Sequence, residues 1–366
     1  MTGLVAAGGS AAAMWAAGGW VAGWAVAGRS RRLPRPEGTE APTYTVVVPA
    51  RNEARRIPRL LAALARDPRR PDVVVVDDAS TDGTAELAAA AGARVVRVDA
   101  PPGWTGKAWA CWQGAHAATG DVVVFLDADA EPAPGFVARL AAAAAEREGL
   151  VSVQPTHVVA RAYERASATC NVVALMAGTG ASGARRWWRG PVAFGPALAV
   201  PRQRYLDAGG HQLVRGAVTE DLALAAAFAR LGVPVAAYAD AGEGAIVYRM
   251  YPEGPRSLVQ GWAKNLAAGA RSVPALRAAA IALWVAGGLA AAASAVAWVA
   301  GRWAAPAAAL MYALYAVQHA VLMRRAGRFG AVAAAAYPLP LACFAALAVA
   351  SAFPRRREWR GRLVPA

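Results

Sequence analysis

The sequence predicts an α/β domain built on a doubly wound, Rossmann-like nucleotide-binding sheet and held between apolar segments long enough to cross a membrane. Three observations predict it. Valine-rich runs alternate with alanine-rich stretches from Thr43 to about Arg271, acidic residues cluster where those runs end, and charge is missing from long blocks near both ends of the chain. At roughly 150 residues per domain, the length allows about two domains. The composition is 57% hydrophobic, but alanine supplies much of that figure, so the distribution of charge is the better guide.

The first block, 1–28, contains no charged side chain and includes Trp15, Trp20 and Trp24. It lacks the basic start of a secretory signal, is long for one, and runs into Arg29, Arg31, Arg32 and Arg35. It reads as a retained transmembrane helix, with 29–42 as a basic linker that places the next domain in the cytoplasm. Three more apolar blocks, Ala278–Gly301, Trp303–Met323 and Phe329–Phe353, fall in a transmembrane region over 275–353. Each is long enough for ~30 Å of hydrocarbon at 1.5 Å per residue. His319, in the middle block, fits a helix–helix contact. Three crossings would carry the basic tail, 354–366, to the far side, whereas Arg355, Arg356 and Arg357 argue for the near side. One block that is re-entrant or interfacial would resolve this, and Tyr337-Pro338-Leu339-Pro340 offers the break.

The net charge of +15 could serve nucleic acid or an anionic surface. Because so many arginines adjoin apolar blocks, the expected partner is the phospholipid bilayer and not nucleic acid. Cys111, Cys170 and Cys343 have neither metal spacing nor a disulfide framework, and are expected as small buried residues in a reducing compartment.

Within 43–271, four runs read as buried parallel strands: Tyr44–Val48, Val73–Val76, Val95–Val98 and Val122–Leu126. Helical stretches follow them at Arg55–Arg66, Thr84–Ala91, Ala108–Ala118 and Phe136–Arg147. Ligands of such a sheet bind beyond the carboxyl ends of its strands. The first strand ends in Pro49-Ala50-Arg51-Asn52-Glu53 and the second in Asp77-Asp78-Ala79-Ser80-Thr81-Asp82-Gly83. Each alone is ordinary turn and capping chemistry. Together, the carboxylates suit ribose hydroxyls and a base N–H.

The fourth strand leads into Asp127-Ala128-Asp129. On an extended segment alternate side chains point the same way, so Asp127 and Asp129 converge on one site. Hard oxygen ligands of that kind suit Mg²⁺ or Mn²⁺ bridging substrate phosphates. Lys107, in the Pro/Gly-rich loop Gly103–Lys107, is placed either to reach a phosphate or as a solvated loop lysine. For Thr219-Glu220-Asp221 before the helix Leu222–Leu231, two readings stand: an N-cap with an acidic first turn, or a general base. His211 reads either as lining an acceptor pocket or as a structural hydrogen-bonding residue. The stretch from Arg249 to Arg271 ends the domain in an amphipathic helix. Its Leu258, Trp262 and Leu266, with Lys264, suit a membrane interface with the tryptophan at the headgroups.

Together these residues resemble the family-2 glycosyltransferases of the GT-A fold. The match runs from Pro-Ala-Arg-Asn-Glu through Asp-Asp-Ala-Ser-Thr-Asp and Asp-Ala-Asp to Thr-Glu-Asp. Within that family the chain is similar to the 4,4'-diaponeurosporenoate glycosyltransferases of carotenoid biosynthesis. That narrower likeness rests on Gly106-Lys107, Ser152–Pro155, Ala193–Pro196, Gly209-Gly210-His211, Arg249-Met250-Tyr251, Gly261–Lys264 and Glu358–Arg362. Hopanoid-associated glycosyltransferases share several of these features. With the apolar blocks and their basic flanks, the expectation is a multi-pass cell-membrane enzyme with a cytoplasmic catalytic domain, and the resemblance implies its reaction. It would move a sugar, glucose foremost, from a UDP-sugar to a membrane lipid or carotenoid acceptor, with inversion and with Mg²⁺ or Mn²⁺.

Carried over by position, Pro49, Arg51, Glu53, Asp77, Asp78, Lys107 and Asp127 would bind the nucleotide sugar, with Asp78 on the uridine. Asp127 and Asp129 would hold the metal, and Asp221 or Glu220 would be the base. Processive synthases carry Gln-x-x-Arg-Trp, but this chain reads Gln260-Gly261-Trp262-Ala263-Lys264, which favours a single transfer. Hopanoid, polyprenyl phosphate and glycerolipid acceptors remain open, as does a membrane protein that only binds nucleotide.

Overall fold

The computed structural model describes residues 2–28, 30–35, 42–178, 190–217, 219–270, 272–300, 306–352, 357–359 and 362–364, with side chains from Ala12 to Ser351. The chain forms two compact units, one of 31–156 with 191–249, the other of 1–30, 157–190 and 250–366. The stretch predicted as one domain over 43–271 is thus shared between them.

The first unit contains strands β1 (Tyr44–Ala50), β2 (Asp72–Asp78), β3 (Arg94–Val98), β4 (Val122–Leu126), β6 (Leu150–Gln154), β8 (Ala197–Pro201) and β9 (Val235–Ala239). Short β5 (Ala130–Pro132) pairs antiparallel with β10 (Ile246–Tyr248), and the two-residue β7 (Thr156–His157) follows β6. Helices α2 (Ile57–Ala65), α3 (Thr84–Ala90), α4 (Gly106–Ala117), α5 (Phe136–Arg147), α7 (Arg202–Asp207) and α8 (Glu220–Arg230) complete it. The seven-stranded sheet runs β3-β2-β1-β4-β8-β6-β9.

The valine runs are continuous because both faces of the sheet are covered. Val46 and Val48 enter one core with Leu60 and Leu61 of α2 and Leu140 of α5. Val47 enters the other, with Ala110 and Cys111 of α4 and Leu224 and Phe228 of α8. Each such valine or leucine contributes about 1.5–3 kcal/mol by leaving water. Close approach of α4 requires Gly114, where a Cβ would fall 2.2 Å from Val47 Cγ1.

Parallel pairing of β3, β2, β1 and β4 matches the predicted winding. Beyond β4 the sheet departs from it. β8 is antiparallel to both β4 and β6, and β6 pairs parallel with β9, so the sheet is mixed. These three strands were not predicted; β8 (ALAVP) and β9 (VAAYA) share the alanine-rich composition of the helices. Two boundaries also move. β1 continues through Pro49 and Ala50, and β2 takes in Asp77 and Asp78, which therefore lie in strands and not in turns.

The second unit is helical: α1 (Thr2–Ala27), α6 (Ala168–Gly178), α9 (Pro255–Ala270), α10 (Ala275–Val299), α11 (Pro306–Ala326), α12 (Ala331–Ala335) and α13 (Pro338–Ala352). In the basic tail β11 (Arg357–Trp359) pairs antiparallel with β12 (Arg362–Val364). Among the described residues, α10 and α11 are the helices long and apolar enough to cross a membrane, at 25 and 21 residues. At 1.5 Å per residue they span ~37 and ~31 Å. The third C-terminal block is not one span. It breaks at Ala336-Tyr337 into the 5-residue α12 and the 15-residue α13, at the Tyr-Pro-Leu-Pro sequence expected to interrupt it.

Helix α1 packs along α10 and α11. Glycines let the helices meet: a Cβ on Gly19 would lie 2.9 Å from Gly287 Cα. Polar groups are matched across the contact. Gln318 accepts from Trp284 Nε1 at 2.9 Å and donates to the Trp20 carbonyl at 2.9 Å. His319 is buried as a helix-contact residue, its Nδ1 2.8 Å from the Tyr315 carbonyl oxygen and its ring stacked near Trp284 and Tyr337. Trp262 of α9 does not lie at a headgroup surface. It is buried and donates to Ser167 Oγ at 2.9 Å, because the apolar stripe of α9 packs within the unit against α13.

Cys111 and Cys170 are buried free thiols and Cys343 is partly exposed.

Candidate functional site

Parallel β1, β2 and β4 bring their carboxyl ends to one edge of the sheet, in the register Ala50↔Asp77 and Val47↔Phe125. Chain order reverses between β1 and β4, the place where such sheets open a crevice. The acidic motifs after β1, β2 and β4 therefore lie along the same edge of the sheet.

The turns after β1 and β2 are laced together. Arg51 donates through Nη1 to the Asp78 carbonyl at 3.0 Å and to its Oδ2 at 3.1 Å. Asn52 N–H donates to Ser80 Oγ, and Asn52 Oδ1 accepts from Thr81 N–H, both at 2.9 Å. Glu53 N–H donates to Thr84 Oγ1, while the Glu53 carboxylate pairs with Arg56 at 2.9 Å. Asn52 and Ala79 both adopt left-handed backbone, φ 54° and 51°, a conformation that costs Ala79 about 1 kcal/mol or more. Asp77 and Asp78 are buried, and one oxygen of Asp77 accepts from Ser80 N–H while the other has no hydrogen-bond partner among the described residues.

The segment after β4 is a turn closed by Ala130 N–H on the Asp127 carbonyl at 3.0 Å, and not the extended stretch expected. Ala128 is buried, whereas Asp127 and Asp129 are half-exposed. The antiparallel register Leu126↔Ala197 sets the residues preceding β8 beside this turn, and Asp127 N–H donates to the Pro196 carbonyl. Gly195 thereby comes next to α8. Its N–H donates to Asp221 Oδ2 at 2.8 Å, and Asp221 Oδ1 accepts from Leu222 N–H at 2.9 Å.

Lys107 is not a loop residue, and its side chain is 35% exposed. It stands in the first turn of α4, whose N-cap Thr105 accepts from Ala108 N–H at 3.3 Å. Its Nζ lies 2.8 Å from Asp127 Oδ1 and 2.8 Å from Glu220 Oε1. Glu220 and Asp221 occupy the first turn of α8, and Thr219 stands at its N-cap position without a side-chain cap hydrogen bond.

One ammonium thus faces three carboxylates. Burial opposes the charge on Lys107, but Asp127 and Glu220 outweigh it and hold the amine well above its ordinary value. Burial also pushes Glu220 up, but contact with Lys107 wins and leaves its carboxyl below the usual range. Asp221 is pushed up to about 6 by burial and then by repulsion from Glu220. Asp127 is raised as well, chiefly by burial and in spite of Lys107.

Among the described residues no three acidic, histidine or cysteine side chains close on a point as a metal cage. The half-exposed pair Asp127 and Asp129 fits an ion that completes its shell with phosphate oxygens and water, as Mg²⁺ does. His211 proves structural. It is buried, its N–H donates to Tyr205 Oη at 3.1 Å, its Nδ1 lies 2.8 Å from the same oxygen, and burial lowers the ring to about 4. A groove of about 530 Å³ flanks α8, lined by Leu213, Arg215, Gly216, Ala223 and Arg230 among others. Gly195 is the site residue to which sequence reasoning gave no role. Its signal was faint, since strand β8 itself was hidden in alanine.

Comparison with known proteins identifies the family of the chain. Residues 45–203 match the profile of glycosyl transferase family 2. The chain is 33% identical over 332 residues to the 4,4'-diaponeurosporenoate glycosyltransferase of Staphylococcus aureus, covering 87% of each. It is 34% identical over 257 residues to the protein of that name from Staphylococcus haemolyticus, covering 69% of this chain and 68% of that one. Among solved structures, it is similar to the mannosyltransferase PcManGT of Pyrobaculum calidifontis in complex with GDP-Man and Mn²⁺ (23% identical, 92% and 98% covered, TM-score 0.49). It is also similar to glucosyl-3-phosphoglycerate synthase of Mycobacterium tuberculosis with Mn²⁺, UDP-glucose and phosphoglyceric acid (26% identical, 65% and 86% covered, TM-score 0.41). The chain belongs to glycosyl transferase family 2 and is a glycosyltransferase.

Proposed function

We propose that this family 2 glycosyltransferase moves a sugar, glucose foremost, from a UDP-sugar to the carboxylic acid of a membrane-embedded carotenoid, with inversion. The observation that carries the reading is the meeting of Asp127, Lys107, Gly195 and Asp221 beside the β1–β4 crevice. The acceptor follows from the name shared by the staphylococcal relatives.

In this reading Asp78, oriented by Arg51, receives the uridine, with Asp77, Glu53 and Pro49 forming the walls of that end. Asp127 and Asp129 hold Mg²⁺ or Mn²⁺, which when bound neutralises the departing diphosphate. Asp221 is the base, not Glu220. Glu220 is tied to Lys107, whereas Asp221 is pushed up to about 6, near the value that suits proton abstraction at neutral pH. The acceptor oxygen attacks the anomeric carbon opposite the diphosphate, the bond from that carbon to the phosphate oxygen breaks, and UDP departs.

An acid acceptor arrives ionised, because carboxyl groups titrate near ~4, and so makes little demand on Asp221. An alcohol must lose its proton to Asp221 during attack. Helices α10 and α11 anchor the enzyme in the cell membrane as a multi-pass protein, with α1 packed along them and the catalytic unit on the cytoplasmic, arginine-rich side.

The test is transfer from radiolabelled UDP-glucose to a carotenoid carboxylic acid and to its alcohol, in phospholipid vesicles. Asp221→Asn should cut the alcohol reaction by roughly 10²–10⁴-fold and the acid reaction far less. Equal loss on both sinks the assignment of acceptor and base. Absence of metal-dependent UDP release sinks the donor reading.

A further inference from the structure

Lys107 is the one lysine of the first unit, and its two ion-pair partners among the described residues are the carboxylates of Asp127 and Glu220. Nζ stands 2.8 Å from Oδ1 of Asp127, one of the two carboxylates that would hold a divalent cation. It is packed there as well as paired: a Cβ at Gly195 would lie 3.2 Å from Nζ and 3.1 Å from Asp221 Oδ2.

We propose that Lys107 is an internal counter-ion that occupies the cation's place on Asp127 and yields it only when the sugar nucleotide arrives. This rests on the donor reading above and adds an order to it.

The physical argument is one of charge and room. A cation alone must displace an ammonium from Asp127 while that ammonium stays confined beside Glu220, so two positive centres crowd a few ångströms apart. A diphosphate changes the balance, because its oxygens ligate the cation and also offer the displaced ammonium a new anionic partner. Glu220 is the pivot, since it keeps its own contact with Nζ while the bond to Asp127 is exchanged. Cation and nucleotide then bind cooperatively, and by linkage each raises the affinity of the other by the same factor. Lys107 is on this account a positioning residue. It sets which carboxylate is neutralised at each stage and keeps the cation from settling in a site without donor.

Two measurements on the full-length protein in detergent test this. The first is Mn²⁺ affinity by electron paramagnetic resonance, with and without UDP. In the wild type UDP should tighten Mn²⁺ by about tenfold or more, within the usual range of coupling between sites. In Lys107→Met, Mn²⁺ alone should bind about tenfold tighter than in the wild type, and the effect of UDP should fall below about threefold. Unchanged coupling in the variant overturns the proposal.

The second measurement needs no variant: the resonance of the Lys107 side chain in protein labelled at lysine Cε. It should be unmoved by Mg²⁺ alone at concentrations below saturation of that site and should shift when Mg²⁺ and UDP are added together. A crystal structure with both bound that keeps Nζ 2.8 Å from Asp127 Oδ1 also overturns it. If the wild type binds neither UDP nor Mn²⁺, it is the donor reading that falls. If it binds both without coupling, the donor reading survives and the counter-ion role does not.

Discussion

The backbone N–H of Gly195 donates to Oδ2 of Asp221 at 2.8 Å, which fixes the carboxylate of α8 to the residue preceding β8. The same glycine is crowded, since a Cβ there would sit 3.1 Å from that oxygen and 3.2 Å from Lys107 Nζ. Gly195→Ala should therefore displace both charged groups together. Misplacement on the order of 1 Å costs up to about 10²-fold in rate, so a 10- to 100-fold lower kcat is expected with KM for the donor altered less. Steady-state kinetics on UDP release, with circular dichroism to verify folding, checks it.

The raised carboxyl of Asp221 gives a pH signature. With its value near 6, the base form grows as pH rises from 5 to 7, and transfer to an alcohol acceptor should rise with it, about tenfold per unit below 6. Stability runs the other way. The folded chain holds a proton on Asp221 between about 4 and about 6 that the unfolded chain has released, so this group's contribution to stability falls as pH rises through that window. Asp221→Asn should flatten both profiles, read as rate against pH and as metal-free Tm against pH.

Arg51 positions Asp78 through two contacts from a single nitrogen, at 3.0 and 3.1 Å. Arg51→Ala should release the uridine end and leave the reacting end intact. Loss of hydrogen bonds to a charged group of this kind predicts about a tenfold rise in donor KM, with kcat changed less than about threefold. Isothermal titration with UDP gives the same comparison without turnover.

In the helical unit, Gly19 lies so near α10 and α11 that a Cβ would be 2.5 Å from Tyr315 Oη and 2.6 Å from the Leu283 carbonyl oxygen. Gly19→Leu should part α1 from its neighbours. Gln318→Leu should instead leave Trp284 Nε1–H buried without its acceptor, at a cost of about 1–3 kcal/mol. Both variants should lower Tm in detergent while UDP binding to a folded catalytic unit is retained, measured by thermal melts and UDP titration.

How far the sequence speaks depends on the residue type doing the speaking. Strands β1, β2 and β4 were legible because valine is a strand former and a doubly covered sheet demands a run of it. Strand β3, expected to be buried, is a half-exposed edge strand (RVVRV) legible by its valines alone. Strands β8 and β9 were not, because an alanine-rich strand and an alanine-rich helix have the same composition, and only pairing to a neighbour separates them. The acidic motifs stood out by chemistry and by their place after valine runs. So did the break before Pro338, which proline imposes locally.

By itself the sequence determined the class of the chain: a nucleotide-type α/β sheet, carboxylates at its strand ends, and apolar helices beside a basic tail. These follow from composition and local spacing, which every short segment carries within it. Only the tertiary structure decided that Lys107 bridges Asp127 and Glu220, that Gly195 holds Asp221, and that Trp262 is buried on Ser167. Those pairs are separated by 20 to 113 residues in the chain, and the antiparallel placing of β8 brings Gly195 to the turn after β4. Which carboxylate keeps its proton is a matter of burial and neighbouring charge, and both exist only once the sheet is assembled.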